Sequence, residues 1–305
     1  MPTSTDTRSP RGSARRRAEV VLGAQRLRAP ATSSNIARNA RAERERHARW
    51  APARDALWRA LDSQMARGAR VAVVGAGNAD SVPRARIAAR AGAVTLIDLD
   101  GQAIRAACRR QPRRRRRRIE AIQHDVTDGA ADTIARAAAT GELPVTVTPS
   151  PAPLPGAPYD LVIGDLLYSQ LLYPALVDLN VPPDVTAEFL TRCAPTLTRA
   201  TVARLNLSAR DGCVVHVHDP IAWWPGHSHP VTLKLILATA ARDPAAALSL
   251  AARGTGPHHS DPRPALTALS IPILVTSLWR WPFAPGVDYL ACATLTGRVG
   301  GAARI

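Results

Sequence analysis

The residues of this 305-residue chain that could do chemistry begin with Gly75-Ala76-Gly77, Asp80 and Asp98. Glycines at a first strand-to-helix turn let the backbone approach a ligand, and an acid 23 residues beyond Gly75 stands where a ribose hydroxyl would be read. A dinucleotide fingerprint would place a third glycine at position 80, next to a pyrophosphate at the helix N-terminus. The aspartate found there repels a diphosphate and suits a cationic ligand. A second set lies further on. Asp165-Leu166-Leu167-Tyr168 follows an apolar run, and Asp219, His227 and His229 follow the alternating His216 and His218. The two H-x-H pairs and Asp219 invite a metal reading, but His216 falls inside a predicted strand and no carboxylate-rich partner set accompanies it, so no metal ligands are assigned.

The elements that must position these groups follow from pattern. Val71 to Val74 reads as a strand buried on both faces. A helix follows, capped by Asp80 or Ser81, with Pro83 in its first turn and Ile87, Ala88 and Ala91 as its apolar stripe. Val94 to Ile97 is a second strand closing on Asp98, which completes a βαβ unit. A helix from Gly101 to about Arg110, a third strand over Ile119 to His124 and a helix from Asp128 to Thr140 come next. After a Pro-rich loop from Pro144 to Pro158, Tyr159 to Gly164 forms a fourth strand with Asp165 at its carboxyl end, where open parallel sheets bind ligands. Two helical stretches separated by Pro182-Pro183 and Pro195 lead to a fifth strand, Gly212 to His218, and Val231 to Arg253 reads as helix. Ile273 to Trp281 and Val287 to Thr296 form a terminal hairpin.

In this order the motifs resemble those of the class I S-adenosylmethionine (SAM) methyltransferases over about Arg70 to Arg298. Gly75, Gly77 and Ala79 match the family's first motif, whose usual acid two residues before the first glycine is here Val73, with Asp80 the candidate substitute. The resemblance implies an α/β, Rossmann-like seven-stranded sheet of order 3-2-1-4-5-7-6, strand 7 antiparallel, with helices on both faces. It implies SAM as cofactor, held by Gly75, Gly77, Ala79, Asp80, Asp98, Asp125 and Val126, the last two beside the adenine amino group. A helix cap is the other reading of Asp125. Asp165 and Tyr168 match the ends of the family's D/N-P-P-Y motif without its prolines, so N-methylation is not implied. Because a sulfonium is an activated donor, alignment, a desolvated pocket and a base suffice. Asp165 and His218 are the candidate bases and Tyr168 the positioning group. Aromatic residues concentrate near the ends of strands five to seven, and Trp223, Trp224 and Trp281 are the expected walls of a pocket for a small aromatic or apolar acceptor. Two alternatives stay open: an NAD(P)-dependent oxidoreductase, and a catalytically inactive methyltransferase-like interaction protein.

Composition bounds the rest. The net charge of +16 is concentrated, since residues 1–50 carry 12 Arg against 4 acids and residues 105–118 carry nine Arg and no acid. Residues 1–34 read as a disordered basic tail, 35–69 as a helical segment with Trp50, Leu57, Trp58 and Leu61 at helical spacing, and 70–305 as the methyltransferase-like domain. Six consecutive arginines, Arg113 to Arg118, cannot be buried together and should form a solvated connection into the third strand. With no aromatic residue interleaved, they support a nucleic-acid partner only weakly. Four scattered cysteines suit a cytoplasmic protein, and no apolar run reaches the ~18 residues of a membrane helix.

Overall fold

The structure, a computed structural model, describes residues 29–42, 45–143, 147, 149–150, 152–209, 211–253 and 259–297. Most of the expected N-terminal tail and part of the Pro144–Pro158 loop lie outside these residues. One seven-stranded sheet organises the molecule, in the order β3-β2-β1-β4-β5-β7-β6. Its strands are β1 (Arg70–Val74), β2 (Ala93–Asp98), β3 (Ile119–Gln123), β4 (Leu161–Asp165), β5 (Cys213–Trp223), β6 (Ile273–Ala284) and β7 (Val287–Gly297). The first five are parallel, while β7 runs antiparallel between β5 and β6. The strand reversal between β1 and β4 opens the crevice where such sheets bind ligands.

Alternation along each strand feeds two apolar layers. Val71, Val73, Leu96, Ile163 and Val215 meet Leu57, Leu61, Ile87 and Ile104 of the helices on one face. Ala72, Val74, Ile97, Val162 and Val214 meet Ile134, Phe189, Leu197 and Leu205 on the other. The helices of the first face are α3 (Ala51–Asp62), α4 (Arg84–Arg90) and α5 (Gly101–Arg109). Before them come α1 (Pro30–Ala40) and the single turn α2 (Arg46–Arg49), and after them the exposed turn α6 (Arg113–Arg116) leading into β3. The second face carries α7 (Ala130–Thr140), α8 (Tyr173–Asp178), α9 (Pro183–Ser208) and, after α10 (Leu233–Ala240) and α11 (Pro244–Ala251), α12 (Arg263–Ala268).

Four local expectations are corrected. The first helix opens at Pro30 rather than near Ile36, because proline suits a first helical turn and Asp132 of α7 accepts from the backbone N–H groups of Ala31 at 2.6 Å and Thr32 at 3.3 Å. The helix after β1 starts only at Arg84, with neither Asp80 nor Ser81 capping it. Pro195 does not interrupt α9, since Phe189, Cys193, Leu197 and Leu205 pack on both sides of it and hold the helix together across the missing N–H. The expected helix Val231–Arg253 is two, parted at Asp243, whose carboxylate caps α11 by accepting from Ala245 and Ala246.

Candidate functional site

β1 ends in a turn that only glycine serves well. Gly75 has φ +75°, and a Cβ there would lie 2.8 Å from Leu167 Cβ and 3.0 Å from the Asp165 carbonyl oxygen. Gly77, at φ +46°, would press a Cβ to 2.9 Å from Asn39 Oδ1 on α1. The bare backbone of this loop floors a cavity of about 500 Å³ that also meets Asp98, Asp165, Trp50, Trp281 and Phe283. A smaller recess of about 60 Å³ shares Asn35, Gly75, Asp98 and Leu166 with it and extends to Asp125, Val126 and Thr127. Helix α1 stands over both through Asn35, held by three carboxylates from separate places. Asp132 caps it, Asp178 accepts from Ser34 Oγ at 2.5 Å, and Asp100 accepts from Asn39 Nδ2 at 3.2 Å.

The acids at the strand ends differ in what they hold. Asp98 accepts from the Gly77 N–H at 2.8 Å and the Asp100 N–H at 2.8 Å, one bond to each oxygen, and burial against these two bonds raises its pKa to about 6. Asp165 accepts from Ser81 Oγ at 2.5 Å, while its Oδ1 is buried with no hydrogen-bond partner. Burial pushes the Asp165 carboxyl up to about 7, with the nearby Asp98 charge adding to the rise. Asp125 accepts from the N–H and hydroxyl of Thr127, both at 2.8 Å, and from the Gly129 N–H at 2.6 Å, so its carboxylate shapes the turn that lines the recess. That turn is gripped from α9 by the buried Arg204, which donates to the Val126 carbonyl at 2.9 Å and the Ser150 carbonyl at 2.7 Å and pairs with Asp128.

Gly75, Gly77, Ala79, Asp98, Asp125, Val126, Asp165 and Trp281 therefore gather around the paired cavities. Asp80 lines the larger one, but its carboxylate is engaged by Arg46 at 2.8 Å, so it is not an open partner for a cationic ligand.

Tyr168, His218, Trp223 and Trp224 do not join them. Leu166 takes a left-handed φ of +52°, an uncommon conformation for a bulky residue, and throws the chain into a 3-10 turn, Tyr168–Gln170. Tyr168 thereby lands on the opposite sheet face, its hydroxyl 2.5 Å from His216 Nδ1, beside a separate cavity of about 350 Å³. Burial, with the neighbouring His218, lowers the pKa of His216 to about 3. His218 is likewise fully buried and shares that face by alternation. Trp223 lies beyond the expected end of β5, which runs on to this residue, and donates to the Val231 carbonyl at 3.3 Å, while the exposed Trp224 stacks on His227 at 3.9 Å between ring centroids.

Sequence reasoning missed Trp50, Asn35, Asn39, Arg46 and Ser81. Trp50 packs on Trp281 at 4.9 Å and Phe283 at 6.1 Å between ring centroids, and its indole N–H donates to the Phe283 carbonyl at 3.0 Å. Its helical spacing marked an apolar face, but nothing local said that this face meets the β6–β7 hairpin. Among the described residues no group of three or more His, Cys, Asp or Glu side chains is arranged to hold a metal ion.

No protein-family model matches the chain, and no curated protein matches it either. Solved structures do. One is an SAM-dependent methyltransferase from Aquifex aeolicus, with TM-score 0.40 and 11% identity over 84% of this chain and 94% of that one. Another is magnesium protoporphyrin IX methyltransferase of Synechocystis PCC 6803, solved with bound SAH, with TM-score 0.37 and 14% identity over 79% and 80% of the two chains. A third is an SAM-dependent methyltransferase from Methanosarcina mazei, with TM-score 0.39 and 13% identity over 78% and 96%. These are likenesses of chain path; the architecture itself rests on the strand order of the sheet.

Proposed function

We propose that this chain transfers a methyl group from SAM to a small aromatic or apolar acceptor. One observation carries the reading. Where Gly75 and Gly77 floor the cavity it is lined by two buried acids, Asp98 and Asp165, neither of which has an ion-pair partner among the described residues, while Arg38, Arg41, Arg46 and Arg49 line it with Asp80 and Asp178 on the side of the N-terminal segment. A diphosphate set against Asp98 and Asp165 would add negative charge to them, whereas a cationic nucleoside neutralises it. This is why the oxidoreductase alternative is not favoured.

The residues fit the cofactor in turn. Each Asp98 oxygen accepts one backbone N–H and keeps a lone pair for a ribose hydroxyl. The recess at Asp125 and Val126 takes the adenine end, and Gly75, Gly77 and Ala79 bring bare or nearly bare backbone against the rest. When bound, SAM supplies a methyl group on a sulfonium. The chain supplies orientation and exclusion of water, and Asp165, its carboxyl near 7, receives the acceptor's proton. Trp50, Trp281 and Phe283 wall the acceptor side.

Calorimetry with SAM, S-adenosylhomocysteine and NAD(P) tests this. The first two should bind in the micromolar range, and Asp98→Ala should lose ~1–3 kcal/mol of that binding by removing the ribose contacts. Tight binding of NAD(P), or no binding of SAM, overturns it.

A further inference from the structure

The charges that line the cavity fall into two halves. Asp98 and Asp165, at the ends of β2 and β4, are buried in its floor, while Arg38, Arg41, Arg46 and Arg49 stand on the chain from α1 to α2 at its rim. Two of these arginines are neutralised locally, Arg46 by Asp80 at 2.8 Å and Arg38 by Asp178 at 3.4 Å. Arg49 is anchored to the far wall, where its Nε at 3.3 Å and Nη2 at 3.1 Å donate to the Phe283 carbonyl. Arg41 differs from all three. It is exposed at the C-terminal end of α1, and its side chain makes no hydrogen bond or ion pair with a described residue.

The same cavity holds a second donor with nothing to donate to. Of the rings that wall it, Trp50 spends its indole N–H on the Phe283 carbonyl, whereas Trp281, only 6% exposed, has an Nε1 with no hydrogen-bond partner. A buried N–H is nearly always paired, and an indole N–H can only donate. Oxygen brought by a ligand completes it. A guanidinium is completed best by a planar carboxylate, which it meets through two N–H groups at once. The surfaces between these donors are ring faces, with Trp281 and Phe283 packed edge to face at 5.1 Å between centroids, and they suit an aromatic frame.

We propose that the methyl acceptor is an aromatic acid, its ring set against Trp50, Trp281 and Phe283, its carboxylate paired with Arg41 and one of its oxygens accepting from the Trp281 N–H. The inference rests on the methyl-transfer reading above and narrows its acceptor. The division of charge then sorts the two ligands. A sulfonium cation is met by the acids of the floor, and the acceptor's anion is met by the rim, so neither ligand is favoured in the other's place. The same division orients the acceptor. Its carboxylate is repelled by Asp98 and Asp165 and stays outward, which leaves its other polar group to point at Asp165. A neutral phenol gives Arg41 no countercharge, and an ammonium in the carboxylate's position meets it with like charge.

The test is calorimetry on the full chain in saturating S-adenosylhomocysteine, with 4-hydroxybenzoate, 4-methylphenol and tyramine as probes. The benzoate should bind about tenfold or more tightly than the other two. Arg41→Gln should remove that preference, and Arg41→Lys should restore part of it. Trp281→Phe, which keeps a ring and removes the N–H, should weaken the benzoate about threefold or more. The cofactor carries a carboxylate as well, so the affinity of Arg41→Gln for S-adenosylhomocysteine separates the two sources. A value like the parent's supports the inference, and a tenfold loss overturns it by giving Arg41 to the cofactor. Preference for the phenol or the amine, undiminished benzoate binding in Arg41→Gln or Trp281→Phe, or failure of all three probes to bind overturns the inference alone. Failure of S-adenosylhomocysteine to bind overturns the methyl-transfer reading beneath it, and the inference with it.

Discussion

Asp165 is held in its protonated form by burial, and this ties stability to pH in a definite direction. Its folded pKa of about 7 lies above the unfolded carboxyl value, so the native chain binds the extra proton between roughly pH 4 and 7. Stability should therefore fall as pH rises through that window, and Asp98 and Asp219, raised to about 6 and about 7, add to the same slope, the three acids together outweighing the buried His216, which, lowered to about 3, works the other way below about pH 6.5. Differential scanning calorimetry should show the ligand-free chain melting higher at pH 5 than at pH 8, with Asp165→Asn reducing the difference. SAM affinity should run the opposite way, increasing over the same range as the acids become anionic. Arg204 gives a second prediction. Its guanidinium holds two carbonyls and Asp128 from a buried position, and Asp128 is partly solvated, so Arg204→Ala should cost about 2–3 kcal/mol in a urea melt and weaken cofactor binding by loosening the recess. What the sequence disclosed at this scale was whatever spacing alone decides. Gly75, Gly77 and Asp98 sit at fixed offsets within one βαβ unit and were legible. Tyr168 and His218 were not, because the left-handed Leu166 that sends Tyr168 to the other sheet face leaves no local mark, and the alternation of β5, legible in itself, does not say which of its faces meets the cavity.

At the scale of elements, α1 is the piece whose position matters most, since it carries Asn35 and Asn39 over the cavities. Its N-terminal cap comes from α7, 101 residues away in sequence, which is why its start at Pro30 could not be read from neighbouring residues. Asp132→Ala should remove about 1 kcal/mol of helix stability and raise the dissociation constant for S-adenosylhomocysteine, with amide exchange in 30–40 accelerating first. An unchanged exchange pattern would show that packing alone holds the helix. The sheet was the more legible part, because buried β-branched runs and a Pro-Gly hairpin declare themselves over a few residues. Pro195 misled for a reason of the opposite kind: its cost is local, and the contacts that outweigh it, Phe189 and Leu197 against the sheet, are tertiary.

For the molecule as a whole, the run of six arginines and the cavity are separate matters, although Arg38, Arg41, Arg46 and Arg49 of the basic N-terminal segment line the cavity. Arg113 to Arg118 are exposed on the connection into β3, away from the strand ends that line the site. Replacing all six with a Gly/Ser linker should leave the affinity for SAM unchanged by calorimetry, and a tenfold loss would mean that the run reaches the ligand. The three acids that hold α1, by contrast, bear on time rather than affinity. Asp132, Asp178 and Asp100 belong to two helices and a loop, so releasing the helix requires three bonds to separate elements to break. A thioether product leaving beneath it must wait for several independent latches to be open at once. The residence time of S-adenosylhomocysteine should then set turnover, and Asn39→Ala, which removes one latch, should shorten that residence in a stopped-flow chase.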